Sequence, residues 1–198
     1  MKNKLIMLVG MPGAGKGTLS GMLKTRLGIE CVCASDLLRA VDPASKLGKE
    51  IAGNQAAGRL NDDVIVNQVM ESAFGKAREN LVIDGYPRQI GQAEHALRRA
   101  AELGFEAIAV FLAISEAVAA ARRDKRLRDA AAAGVAARRD DADPNVLVRR
   151  FAEYHGKTEP MIDWLREKLG ADFYKFDNSG SPEDLYEKVV KVLNLSVR

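Results

Sequence analysis

The sequence predicts an α/β fold, a five-stranded parallel sheet with helices on both faces. Three observations carry that expectation. Short apolar runs alternate along the chain with longer stretches of helical period. Strands separated by helices in this way pair in parallel, because each crossover helix returns the chain to the same edge. The 198 residues are 47% apolar and 29% charged, enough for one core beneath a polar surface.

The first strand is expected over residues 4–9, which hold five apolar residues in a row, Leu5 to Val9. A glycine-rich turn follows, then a helix over 16–27. Residues 30–34 read as a second strand, and three helical patterns follow at 35–41, 45–57 and 62–77. The apolar run 81–84 is the third strand and ends on Asp84. A helix over 89–103 leads to a fourth strand at 107–112, and a further helix covers 116–130. The longest helical pattern spans 145–169, before a fifth strand at 173–177 and a last helix at 182–193. Ligands of open parallel sheets bind beyond the carboxyl ends of the strands. The positions of interest are therefore residues 10–18, 35–39, 85–88 and 178–181.

Composition narrows the function. A net charge of +3, from 30 basic and 27 acidic residues, is too mild to indicate a nucleic-acid partner. Its distribution is uneven, with eight arginines between Arg122 and Arg150. The N-terminal apolar run is too short to span a membrane and lacks a signal-peptidase site, so a cytoplasmic protein is expected. Cys31 and Cys33 are too close for a comfortable disulfide and too few for zinc; they read as small buried strand residues. No repeat is visible, and the one low-complexity patch is DAAAAGVAA at 129–137.

The segment Gly10-Met-Pro-Gly-Ala-Gly15-Lys16 satisfies G-x-x-x-x-G-K between a strand and a helix. Glycines there let consecutive N–H groups point at phosphate oxygens, and the helix N-terminus adds its dipole. Lys16 places a positive charge on the β- and γ-phosphates. Gly17 stands where such loops usually carry a Ser or Thr for Mg²⁺, with Thr18 one place later. The ion must then be held mainly by nucleotide, water and a carboxylate elsewhere. Asp84, at the tip of LVID before Gly85-Tyr-Pro-Arg88, is suited to hold it through water.

GMPGAGKGT and DGYPRQIGQAE together resemble the nucleoside monophosphate kinases, most closely the adenylate kinase family. SDLLRA at 35–40, residues 47–65 and residues 138–165 extend the resemblance over nearly the whole chain. It implies a single P-loop NTPase-type domain over 1–198, with a helical acceptor-binding flap at 34–63 and a short lid at 126–139. It implies Mg²⁺-dependent, reversible phosphoryl transfer from ATP to AMP giving two ADP, by a monomer whose partners are small nucleotides, not nucleic acid or membrane. Lys16, Arg88, Arg126, Arg139 and Arg150 are the expected catalytic residues. The expected ATP site comprises Gly13, Ala14, Gly15, Lys16, Gly17, Thr18, Arg122 and Arg126. The expected AMP site comprises Ser35, Arg39, Arg59, Asn61, Gly85, Arg88 and Gln92. Guanidinium groups suit this chemistry because they bind phosphate bidentately and neutralise two anionic chains brought together.

At the far side of the lid, Arg138 could take the place of Arg139, and Arg149 that of Arg150. Arg123, Arg128 and Arg149 read as residues of a solvated helix face. The lid lacks cysteines, which excludes a zinc-bearing form. Ala34-Ser35 and Asn61 depart from the family pattern and leave a UMP/CMP kinase as the alternative. Gln92 weighs against it, because a carboxamide offers a donor and an acceptor to the N6/N1 edge of adenine. A dinucleotide-binding reading fails for want of G-x-G-x-x-G, and an inactive nucleotide-binding module would not need Lys16, Asp84, Arg88 and Arg126 together.

Overall fold

A computed structural model describes residues 2–135 and 143–196. Its sheet has five strands in the order β2-β3-β1-β4-β5, every pair parallel. They are β1 (Lys4–Val9), β2 (Glu30–Cys33), β3 (Leu81–Asp84), β4 (Glu106–Ala113) and β5 (Phe173–Asp177). The first strand runs down the centre, and Leu5, Ile6, Met7 and Leu8 are wholly buried. A strand covered on both faces can be apolar at every position, which is why this one shows no alternation. The register sets Leu8 beside Asp84 and Val9 beside Phe111, so the strand ends form one edge.

Among the described residues the helices are α1 (Lys16–Leu27), α2 (Ala34–Arg39), α3 (Lys46–Ala56), α4 (Asp63–Phe74), α5 (Ile90–Leu103), α6 (Glu116–Ala132), α7 (Pro144–Glu153), α8 (Glu159–Leu169) and α9 (Pro182–Val192). Several begin on a side-chain cap that takes up an otherwise unpaired N–H group. Ser45 accepts from Gly48 N, Asp62 from Val64 N, Asp143 from Asn145 N and Ser181 from Asp184 N. The expected starts at Ser45 and Asp62 are thus caps, one residue outside the helix.

Two expectations change. The single helix expected over 145–169 is interrupted by a π turn, Tyr154–Thr158, in which Glu159 N–H reaches back to Tyr154 O. Pro160 follows and lacks the N–H that a regular α-turn needs there, so the wider turn absorbs the break. The two cysteines are half-buried free thiols, not fully buried, because β2 lies at the sheet edge. No helix of the described residues is long and apolar enough to cross a membrane.

Candidate active site

Central β1 delivers the glycine loop to the middle of the carboxyl edge. Gly10, Gly13 and Gly15 have φ of 142°, 86° and 87°, a region closed to most side chains. Space closes it too. A Cβ on Gly10 would stand 2.6 Å from Leu112 O, and one on Gly15 would stand 2.7 Å from Asn178 Nδ2. Asn178 follows β5, is 4% exposed, and donates from Nδ2 to Ala14 O at 2.6 Å. Arg122, on α6, donates to Asn178 O at 2.5 Å and to Gly13 O at 3.5 Å. The loop is thus strapped to the β4–β5 side of the sheet, with Arg122 beside it.

Lys16 Nζ folds back onto its own loop, donating to Gly10 O at 2.7 Å and Met11 O at 3.0 Å. Burial pulls its pKa down to about 8. The Asp84 carboxylate opposes that shift, and the Arg88 and Arg150 charges reinforce it. Residues from three distant segments therefore meet in the field of one ammonium. Asp84 Oδ2 lies 3.3 Å from where a Cβ on Gly17 would stand, so glycine at that position lets the carboxylate lie against the first turn of α1. Among the described residues no group of three His, Cys, Asp or Glu side chains could hold a metal ion. One hard carboxylate beside a phosphate loop fits Mg²⁺ whose other ligands are nucleotide and water. Thr18 is exposed.

On the other side of β1, the turn after β3 carries Arg88. Gly85, at φ 77°, leaves room for the guanidinium, and Arg88 Nε donates to Gly85 O at 2.9 Å. Arg88 N–H donates to Gln92 Oε1 at 2.8 Å, and Gln92 Nε2 donates to Asp63 Oδ1 at 2.9 Å. Ser35 Oγ lies 3.1 Å from Cys33 Sγ, while exposed Arg39 bonds to Ser35 and pairs with Asp36. Arg59 is exposed. Asn61 is 5% exposed and accepts from Asn54 Nδ2 at 3.1 Å.

Arg126 lies one turn beyond Arg122 on α6, exposed. Arg139 and Arg138, at the far end of the expected lid, lie outside the described residues. Of the adjacent pair on α7, the Arg150 charge acts on Lys16, whereas Arg149 Nε donates to Ala57 O at 2.8 Å. Arg123 is not on a solvated face: it is 9% exposed and pairs with Asp124.

Sequence reading passed over three groups. Asn178 was marked only by its place after a strand, and Asp63 only as the last residue of the expected flap. Behind Arg88, Tyr86 is wholly buried and its hydroxyl meets Asn67 Oδ1 and His95 Nδ1, each at 2.8 Å. His95 Nε2 meets Glu71 at 2.8 Å.

A glycine loop after the central strand of a β2-β3-β1-β4-β5 parallel sheet, its lysine facing a strand-tip aspartate, defines a P-loop nucleotide-binding protein. The comparisons narrow the class. The adenylate kinase family profile matches residues 8–169. An adenylate kinase of Chelativorans sp. (strain BNC1) is 35% identical over 167 residues, covering 82% of this chain and 86% of its own. One from Rhizobium meliloti (strain 1021) is 37% identical over 162 residues, with 80% and 84% covered. One from Brucella melitensis biotype 1 is 34% identical over 193 residues, with 95% and 97% covered. The chain belongs to the adenylate kinase family.

Proposed function

We propose that the chain catalyses the reversible transfer of the γ-phosphoryl group of ATP to AMP, giving two ADP. The observation that carries this reading is the convergence on Lys16 of Asp84, Arg88 and Arg150 from separate segments. A polyphosphate entering that space would replace the Gly10 and Met11 carbonyls as the partners of Lys16. The glycine loop and Arg122 would hold the donor chain. Arg88, across β1, would hold the acceptor phosphate, with Arg39 and Arg59 of the flap. Arg126, Arg139 and Arg150 would neutralise charge on the phosphoryl group in flight, the main demand of such a reaction. Asp84 would hold Mg²⁺ through water, and the ion would supply positive charge against the donor phosphates. Residues 34–63 and 126–139 would close over the nucleotides and exclude water.

Gln92 is 2% exposed in this structure, so a base would reach it only as its cover moves aside. The family match does not favour a UMP/CMP kinase, despite Ala34. Two free thiols suit a reducing cytoplasm, in which the chain would act as a monomer. The deciding experiment is a coupled assay with ATP as donor and AMP, CMP, UMP or GMP as acceptor. AMP should give the highest kcat/KM; preference for a pyrimidine nucleotide would overturn the reading.

A further inference from the structure

Gln92 has a carboxamide, and a free carboxamide is ambiguous. Turned one way it offers its oxygen and N–H to an amino base. Turned over, it pairs equally well with a base carrying a carbonyl beside a ring N–H. In this structure the ambiguity is removed from both ends. Oε1 faces the Arg88 backbone N–H, which can only donate, at 2.8 Å. Nε2 faces the Asp63 carboxylate, which when ionised can only accept, at 2.9 Å. Flipping the amide would set its oxygen against a carboxylate and its N–H₂ against an N–H. We propose that Asp63 is a specificity-determining residue that locks Gln92 in the orientation that reads an amino base and rejects its carbonyl counterpart. This rests on Gln92 being the base reader.

The surroundings of Asp63 serve that lock. Its Oδ1 also accepts from Gln89 Nε2 at 2.7 Å, which fixes the carboxylate from a second direction. Its Oδ2 lies against Gly91, where a Cβ would stand only 2.5 Å away. Gly91 lies in the first turn of α5, where glycine is a poor helix former. Its use is to leave room for this carboxylate. A carboxamide has two N–H groups and two oxygen lone pairs; Asp63 takes one of the former and Arg88 one of the latter. One donor and one acceptor remain, in fixed order. Adenine presents N6–H₂ and N1 to them. Hypoxanthine, of the same size, presents O6 and N1–H, the reverse. Cytosine shares adenine's pattern, so the lock separates amino from carbonyl bases and leaves base size to the rest of the site.

The probe is IMP, compared with AMP as acceptor, each with ATP as donor. In Asp63→Asn the new side chain can accept or donate, so one of the two restraints on Gln92 is lost and only the Arg88 N–H still opposes the turn. The AMP-over-IMP ratio of kcat/KM should fall by roughly two- to tenfold, the net worth of a single hydrogen bond. Asp63→Glu, which restores an acceptor-only partner, should recover most of it. A merely structural role would lower both substrates together and leave the ratio unchanged, which would overturn the proposal. If the Asn variant does not fold, Gly91→Ala serves. It favours the helix while displacing Asp63, and a folded Gly91→Ala protein with an unchanged ratio would overturn the proposal as well. Gln92→Ala separates the two readings. If it keeps the full AMP preference, Gln92 does not read the base. If it loses that preference while Asp63→Asn retains it, the base reader stands and the lock falls.

Discussion

Burial, reinforced by Arg88 and Arg150, brings the Lys16 pKa down to about 8, so this side chain titrates within reach of ordinary assays. The sign follows from the lowered value. Below about pH 8 the lysine is charged in the nucleotide-free protein; above it the amine is neutral and attracts phosphate less. Affinity for ATP should therefore be flat below pH 8 and weaken above it, by up to about tenfold per pH unit, until the pKa of the bound state is reached. Calorimetry from pH 6.5 to 9.5 would show the break, and Lys16→Ala should bind weakly without one. Stability moves the other way. The unfolded chain holds its lysine proton up to about 10.5, so this group makes the nucleotide-free fold more stable as pH rises from 8 towards that value. Lys16 and Asp84 were legible because their roles follow from position, one in a glycine loop and one at a strand tip. The burial of Gln92 and Arg123 was not, since which face of a helix is covered depends on partners far away in sequence.

At the scale of the element, α4 is joined to α5 and the turn before it by polar contacts repeated turn by turn. Asp63 meets Gln89 and Gln92, Asn67 meets Tyr86, and Glu71 meets His95 and Arg99. Phe74 closes the row, its ring edge-on to Tyr86 and His95. Burial lowers the His95 pKa although Glu71 opposes the shift. Tyr86→Phe would keep the packing but remove the hydroxyl between Asn67 and His95. It should cost about 1–3 kcal/mol, the penalty for stranding buried polar groups. Urea unfolding would show this as a lower midpoint at unchanged slope; an unchanged midpoint would mean water fills the gap. The strands were readable nearly to the residue, since covered parallel strands are runs of apolar side chains bounded by turns. The long helix was not, because its periodicity continues through the π turn and only Pro160 betrays the break. In the polar row the sequence shows ordinary helix-surface residues; their pairing exists only once the two helices lie together.

Across the whole molecule, the strand order sets the glycine loop at the centre, the proposed donor side towards β4 and β5, and the proposed acceptor side towards β3 and β2. Residues 57–60 also touch α7. Beside Arg149 and Ala57, Leu60 N faces Glu153 Oε2 at 3.4 Å, and a Cβ on Gly58 would stand 2.9 Å from Val146 O. Residues 57–60, the end of the proposed acceptor flap, thus rest on the helix that carries Arg150. The consequence is energetic communication: if donor phosphates draw Arg150 inward, they also shift the flap. A donor that tightens the acceptor must be tightened by the acceptor by the same factor, because the four affinities close a thermodynamic cycle. Gly58→Ala would strain a φ of 72° and wedge the two backbones apart. It should bring that factor towards one, even where each nucleotide still binds alone. Acceptor titrations with and without a non-hydrolysable donor would measure it. An unaltered factor would show that the two halves of the site fill independently, as neighbours without conversation.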